Sequence, residues 1–112
     1  LILTGYEERR GFMVSVRLEV LRGLSECVVG KEVDSVFFNK EIEEGSTVGD
    51  VIRKLATEHQ AFGDIIFDTQ TNQLRGGVSV VLNDLLLGGL NDLDTKIKDG
   101  DFIRLFPLVM GG

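Results

Sequence analysis

Residues 14–21, VSVRLEVL, place Val14, Val16, Leu18 and Val20 on one side and Ser15, Arg17 and Glu19 on the other. A period of two predicts a half-buried β-strand. The next stretch, RGLSECVVGKEVD, has mixed polarity without a sustained period and reads as a long loop. SVFFNKEI, residues 35–42, is rich in strand-forming side chains and predicts a second strand returning as a hairpin. The period then changes. In EEGSTVGDVIRKLATEHQ the apolar positions Val48, Val51, Ile52, Leu55 and Ala56 follow one helical face, with Ser46 or Thr47 as N-cap and Asp50 in the first turn. Arg53, Lys54 and Glu58 occupy the other face, as a solvated helix surface requires.

Residues 62–77, FGDIIFDTQTNQLRGG, mix a short apolar cluster with turn formers and predict a loop with a brief irregular element. VSVVLND, residues 78–84, is apolar on nearly both faces, as suits a strand inside a sheet, and Asn83-Asp84 turns it into a short edge strand at LLLGG. LNDLDTKIKDGD ends in an Asp99-Gly100 turn, and FIRLF, residues 102–106, forms the last strand before Pro107 halts pairing. The order β-β-α-β-β-β predicts an α+β domain over residues 13–112, with one main helix on a mixed sheet of four or five strands. With the first and last long strands side by side the layout is a β-grasp; the order alone also fits another small α+β roll. Residues 1–12, LILTGYEERRGF, show little periodicity and read as an N-terminal extension or remnant, with Met13 as a possible start.

Charge narrows the function classes. A net charge of -6 opposes the basic footprint that phosphate neutralisation requires, so direct nucleic-acid binding is not expected. No apolar run approaches the roughly 18 residues of a membrane span, and the first residues lack the order of a secretory signal, so the expectation is a cytoplasmic protein with no membrane partner. Cys27 is the single cysteine. It allows neither an internal disulfide nor a thiolate cage, and it reads as a small apolar side chain near the end of the first strand. His59, four residues after Leu55, reads as a helix-end residue without a catalytic partner. No nucleophile elbow is present, and RGG at 75–77 and LGGL at 87–90 read as turns rather than phosphate loops. No metal site, bound cofactor or catalytic residue is expected.

The chain closes on FPLVMGG, residues 106–112. Glycines at 111 and 112 lack a Cβ and fit narrow channels, leaving a carboxylate at the tip. Six residues from Pro107 onward reach roughly 20 Å at about 3.3 Å each, enough to enter a partner's active site while the domain docks outside. Leu108, Val109 and Met110 are apolar where a solvated tail is usually polar. A carboxylate is a poor electrophile until adenylation opens its carbon to sulfide or an amine. This chain shows no nucleotide site, so ATP would be used by a partner.

VSVVLND, the IKDGD turn and the terminal FPLVMGG, with the helix opening STVGDVI, together resemble the ubiquitin-like sulfur carriers of the MoaD/ThiS family, particularly the molybdopterin synthase small subunit. The resemblance spans roughly residues 13–112. It implies a β-grasp protein whose Gly112 is adenylated by an enzyme of the ubiquitin-activating type and converted to a thiocarboxylate. Gly111, Met110, Val109, Leu108 and Pro107 would be the inserting tail, and Phe106 would help dock the partner. In the molybdopterin branch the acceptor complex includes the synthase large subunit, and the sulfur builds the dithiolene of the molybdenum or tungsten cofactor. Two departures keep other branches open: Leu108 and Met110 replace a second proline and a small residue of the family tail, and the connection after the first strand is long. The alternatives are a carrier for tRNA thiolation, a ubiquitin-like modifier conjugated to protein targets, and a plain interaction domain using its uncovered sheet face.

Overall fold

The computed structural model describes residues 13–68, 70, 71, 73–75, 77–87 and 92–107. β1 (Met13–Leu21) realises the expected alternation, with Val14, Val16, Leu18 and Val20 buried. β2 (Ser35–Glu43) returns antiparallel to it, in a register running from Met13 opposite Glu43 to Leu21 opposite Ser35. The connection between them is not all loop. It contains a one-turn helix, α1 (Glu26–Val29), closed by Gly30 in the left-handed region, and it carries Cys27, which is therefore on a helix and not at the strand end. Buried Ser25 donates its hydroxyl to the Val33 carbonyl at 2.9 Å, and Arg22 forks to Glu32 and Asp34 at 3.2 and 2.7 Å. These local bonds, invisible to periodicity, hold the segment together.

α2 (Val48–Glu58) begins at Thr47, whose hydroxyl accepts from the Asp50 amide while the Asp50 carboxylate accepts from the Thr47 amide. This capping box satisfies two amides that the first helical turn leaves open. Val48, Val51, Ile52 and Leu55 are buried, and Ala56 packs at the edge of the core. His59 ends α2 and immediately precedes a second helix, α3 (Gln60–Ile66), where the sequence predicted only an irregular element. Its seven residues bury Phe62 and Ile66. They are too few to show a helical period, but Gly63 lets α3 press on α2: a Cβ there would stand 2.9 Å from the Ala56 carbonyl oxygen. β3 (Phe67–Asp68) and β4 (Gln73–Leu74) form a separate two-stranded ribbon.

β5 (Val78–Leu82) and β6 (Leu85–Leu87) make the expected hairpin around Asn83-Asp84, and a 3-10 turn (Asp92–Asp94) leads toward β7 (Phe102–Pro107). The sheet order is β2-β1-β7-β5-β6. β7 lies parallel to β1 on one side and antiparallel to β5 on the other, so the first and last long strands are central neighbours. This is a ubiquitin-like β-grasp with a mixed five-stranded sheet and one main helix. The core lies between the sheet and α2 and α3, where Leu18, Ile103, Leu105, Ile52, Leu55 and Phe62 are fully buried.

Candidate functional site

The base of the tail is built into the middle of the sheet. Leu105 points into the core and is fully buried, while Phe106, one position on, is half-buried on the opposite face opposite Ser79. Pro107 was expected to halt pairing. Instead it is the last residue of β7, opposite Val78, where its ring has no backbone N–H to give to either neighbouring strand. Of the tail residues, Phe106 and Pro107 are thus placed, and Leu108, Val109, Met110, Gly111 and Gly112 lie outside the described residues.

Pro107 rests on Gly23, in the turn that follows β1. Gly23 has φ +101°, and a Cβ built on it would lie 2.5 Å from the Pro107 Cγ. The start of β7 is fixed by a second set of bonds. The Phe102 amide donates to Asn83 Oδ1 at 3.1 Å, the Asn83 amide donates to the Phe102 carbonyl at 2.7 Å, and Asn83 Nδ2 donates to Asp101 Oδ1 at 3.2 Å. Asn83 adopts φ 56°, the left-handed region that a tight two-residue hairpin needs and that Asn tolerates. Asp99 and Asp101 cap backbone amides of Ser15 and Lys98 at 2.8 and 2.7 Å. The acidic turn before the last strand is therefore a structural clasp.

The sheet face away from α2 carries a row of alternating rings and guanidinium groups. Arg17 lies 4.5 Å from the Phe37 ring centre and 5.6 Å from that of Phe102, and Arg104 lies 5.4 Å from Phe102 on the same face. Register explains the row, since Arg17 stands opposite Phe102 and Phe37 is diagonal to it across β1 and β2. Arg104 reaches Asp84 only at 3.9 Å, and its Nε is buried without a hydrogen-bond partner. Phe106 belongs to this face, next to the point where the tail begins.

Other described features do not involve Phe106 or Pro107. Among the described residues, a shallow groove of about 380 Å³ between α2, α3 and β3 is lined by Arg53, Thr57, Gln60, Asp64, Phe67, Asp68 and others, and not by Phe106 or Pro107. Burial pushes the Cys27 thiol up from its ordinary range, with Glu26 adding to the effect, so it is a protonated packing residue at neutral pH. Glu58 accepts a hydrogen bond from Lys40, which holds its carboxyl below the usual range. His59 packs its ring 5.3 Å from that of Phe38. Among the described residues no helix is long and apolar enough to cross a membrane.

The sequence profile of the ThiS family matches residues 30–112, from the end of α1 through β7 and the Gly-Gly. The chain belongs to the ThiS family. This ThiS-family chain is 33% identical over 86 residues to small archaeal modifier protein 3 of Haloferax volcanii, covering 76% of this chain and 86% of that relative. The crystal structure of SAMP1 from Haloferax volcanii superposes with a TM-score of 0.70 at 26% identity, covering 88% of this chain and 99% of that one. A Pyrococcus furiosus chain assigned as molybdopterin converting factor subunit 1 superposes at 0.61 with 24% identity, covering 86% of this chain and 99% of that one. At that identity the likeness shows the fold alone.

Linear pattern singled out the tail of this ThiS-family chain as the candidate site and did not single out Gly23 or the Arg17, Phe37, Phe102 and Arg104 row. Strand alternation placed Arg17 on the polar side of β1, yet its contact with Phe102 depends on the parallel register of β1 and β7. Gly23 carried a weaker signal, as a glycine two residues past the end of a strand.

Proposed function

We propose that this chain is a ubiquitin-like carrier of the small archaeal modifier type, whose Gly112 carboxylate is activated by an ATP-dependent adenylating partner and transferred to a protein amine. The observation that supports it is the 33% identity to a modifier protein over 86 residues, whereas the likeness to the molybdopterin protein rests on fold. The chemistry balances simply. The Gly112 carboxylate attacks the α-phosphate of ATP and pyrophosphate leaves; a neutral lysine amine then attacks the acyl carbon, AMP departs, and the nitrogen gives up a proton to solvent as the amide forms.

The family match supports a second use of the same intermediate: sulfide in place of the amine gives a terminal thiocarboxylate. Such a carrier would serve tRNA thiolation or, with a synthase large subunit, molybdopterin assembly. In either case Gly111 and the apolar tail from Pro107 to Met110 enter the partner, and Phe106 lies at the edge of the docked face.

Expression of the tagged full chain in its native cell distinguishes these outcomes. Conjugation produces higher-mass adducts that vanish when Gly112 is deleted. Trypsin cuts after Arg104, so each modified lysine retains LFPLVMGG rather than a bare Gly-Gly. Sulfur transfer instead produces an intact chain whose mass rises by the difference between sulfur and oxygen. A chain that forms neither species, or whose adducts survive deletion of Gly112, refutes the proposal.

A further inference from the structure

The turn after β1 and the end of β7 are distant in sequence and touch in the fold. Gly23 is in a backbone region closed to most side chains, and its missing Cβ leaves the space that the Pro107 ring fills: Cγ, Cδ and Cβ of Pro107 would stand 2.5, 3.3 and 3.5 Å from a Cβ at position 23. The proline ring is stiff and belongs to a residue paired with Val78, so it cannot swing aside as a flexible side chain would. Restoring ordinary contact requires a shift of about 1 Å in the strand end or in the turn.

The turn is itself held firmly. The Arg22 amide donates to the Asp34 carbonyl at 2.8 Å, the Gly23 amide donates to Glu26 Oε1 at 3.1 Å, and the Leu24 and Ser25 amides both donate to the Leu21 carbonyl at 3.0 Å. Leu24 and Ser25 are buried immediately beyond it. Pro107 is consequently confined between a braced turn on one side and β5 on the other.

We propose that Gly23 is a positioning residue for the tail, a seat without a side chain that fixes where and in which direction the chain leaves the sheet after Pro107. This role rests on the function proposed above, in which a partner must receive the residues beyond Pro107. Gly23 lies before residues 30–112, which the ThiS family profile matches, whereas Pro107 lies within them.

Two measurements on the full chain test the contact and the role separately. In the first, thermal midpoints are compared for Gly23→Ala, Pro107→Ala and the double variant. Removing the ring relieves the clash but not the positive-φ strain, so Pro107→Ala should recover part of the midpoint lost in Gly23→Ala. Additive losses would refute the seat, because non-interacting sites add.

In the second, each variant is the substrate of the purified adenylating enzyme of its native cell, read by ATP-pyrophosphate exchange. A misplaced carboxylate lowers kcat at saturating carrier, here by roughly tenfold or more, since about 1 Å of misplacement can cost as much as 100-fold. A merely destabilised carrier instead raises KM through its smaller folded fraction and leaves kcat alone. The double variant should return to the kcat of Pro107→Ala. An unchanged kcat in Gly23→Ala overturns the positioning role. A wild-type chain that the enzyme never charges overturns the proposed function and the role with it, while the midpoints still decide whether the contact exists.

Discussion

Replacing Asn83 tests whether the clasp at the start of β7 is built from its side chain or only from the turn. Asn83→Ala removes the acceptor of the Phe102 amide and the donor to Asp101, found at 3.1 and 3.2 Å. Each bond contributes about 0.5 kcal/mol at this exposed site, the low end of the usual net value. Ala must also hold φ 56° without the local polar compensation that Asn provides, which costs about 1 kcal/mol more. The expected loss is about 2 kcal/mol. Asn83→Gly loses the same two bonds and relieves the backbone strain but loosens the unfolded chain by about 0.5 kcal/mol, so about 1.5 kcal/mol is expected. The chain contains no tryptophan and one tyrosine, so urea unfolding is best followed by far-UV circular dichroism. Hydrogen exchange at the Phe102 amide should accelerate in both variants. A glycine variant less stable than the alanine variant, or unaltered exchange at Phe102, would refute this account of the clasp.

Glu58→Gln tests the Lys40 contact through pH. The folded-state carboxyl titrates below its unfolded value, so its contribution is present above the unfolded pKa and is lost as pH falls through the folded one. Because the carboxylate is 38% exposed, the difference between wild type and Glu58→Gln should be no more than about 0.5 kcal/mol at neutral pH. It should vanish in acid; a difference that persists there would assign the effect to packing. Cys27 should alkylate more slowly than a free thiol at neutral pH, with a rate still climbing above pH 9.0, and a fast reaction at pH 7 would show that α1 opens readily.

The parts of the fold legible in sequence are those long enough to display a period with one wet face. β1 repeats its alternation over nine residues and α2 its helical stripe over eleven, so both stood out. α1 has four residues and α3 seven, and each is held by contacts rather than by its own pattern. α3 depends on Phe62 and Ile66 filling the core and on Gly63 meeting Ala56. The candidate tail stood out because FPLVMGG is a run of consecutive residues. Its seat did not, because Gly23 and Pro107 become neighbours only after β1 and β7 pair, and nothing in the local sequence of either announces the other.

The parallel pairing of β1 with β7 has a mechanical consequence. On the function proposed above, a partner that drew the chain beyond Pro107 along the strand axis would load β7, which is hydrogen-bonded on both sides, to β1 and to β5. A pull along the strand would load both ladders in shear, so two rows of hydrogen bonds would resist together where an edge strand offers one. On the same proposal, threading, reaction and withdrawal could then be repeated without unravelling the domain that carries the tail.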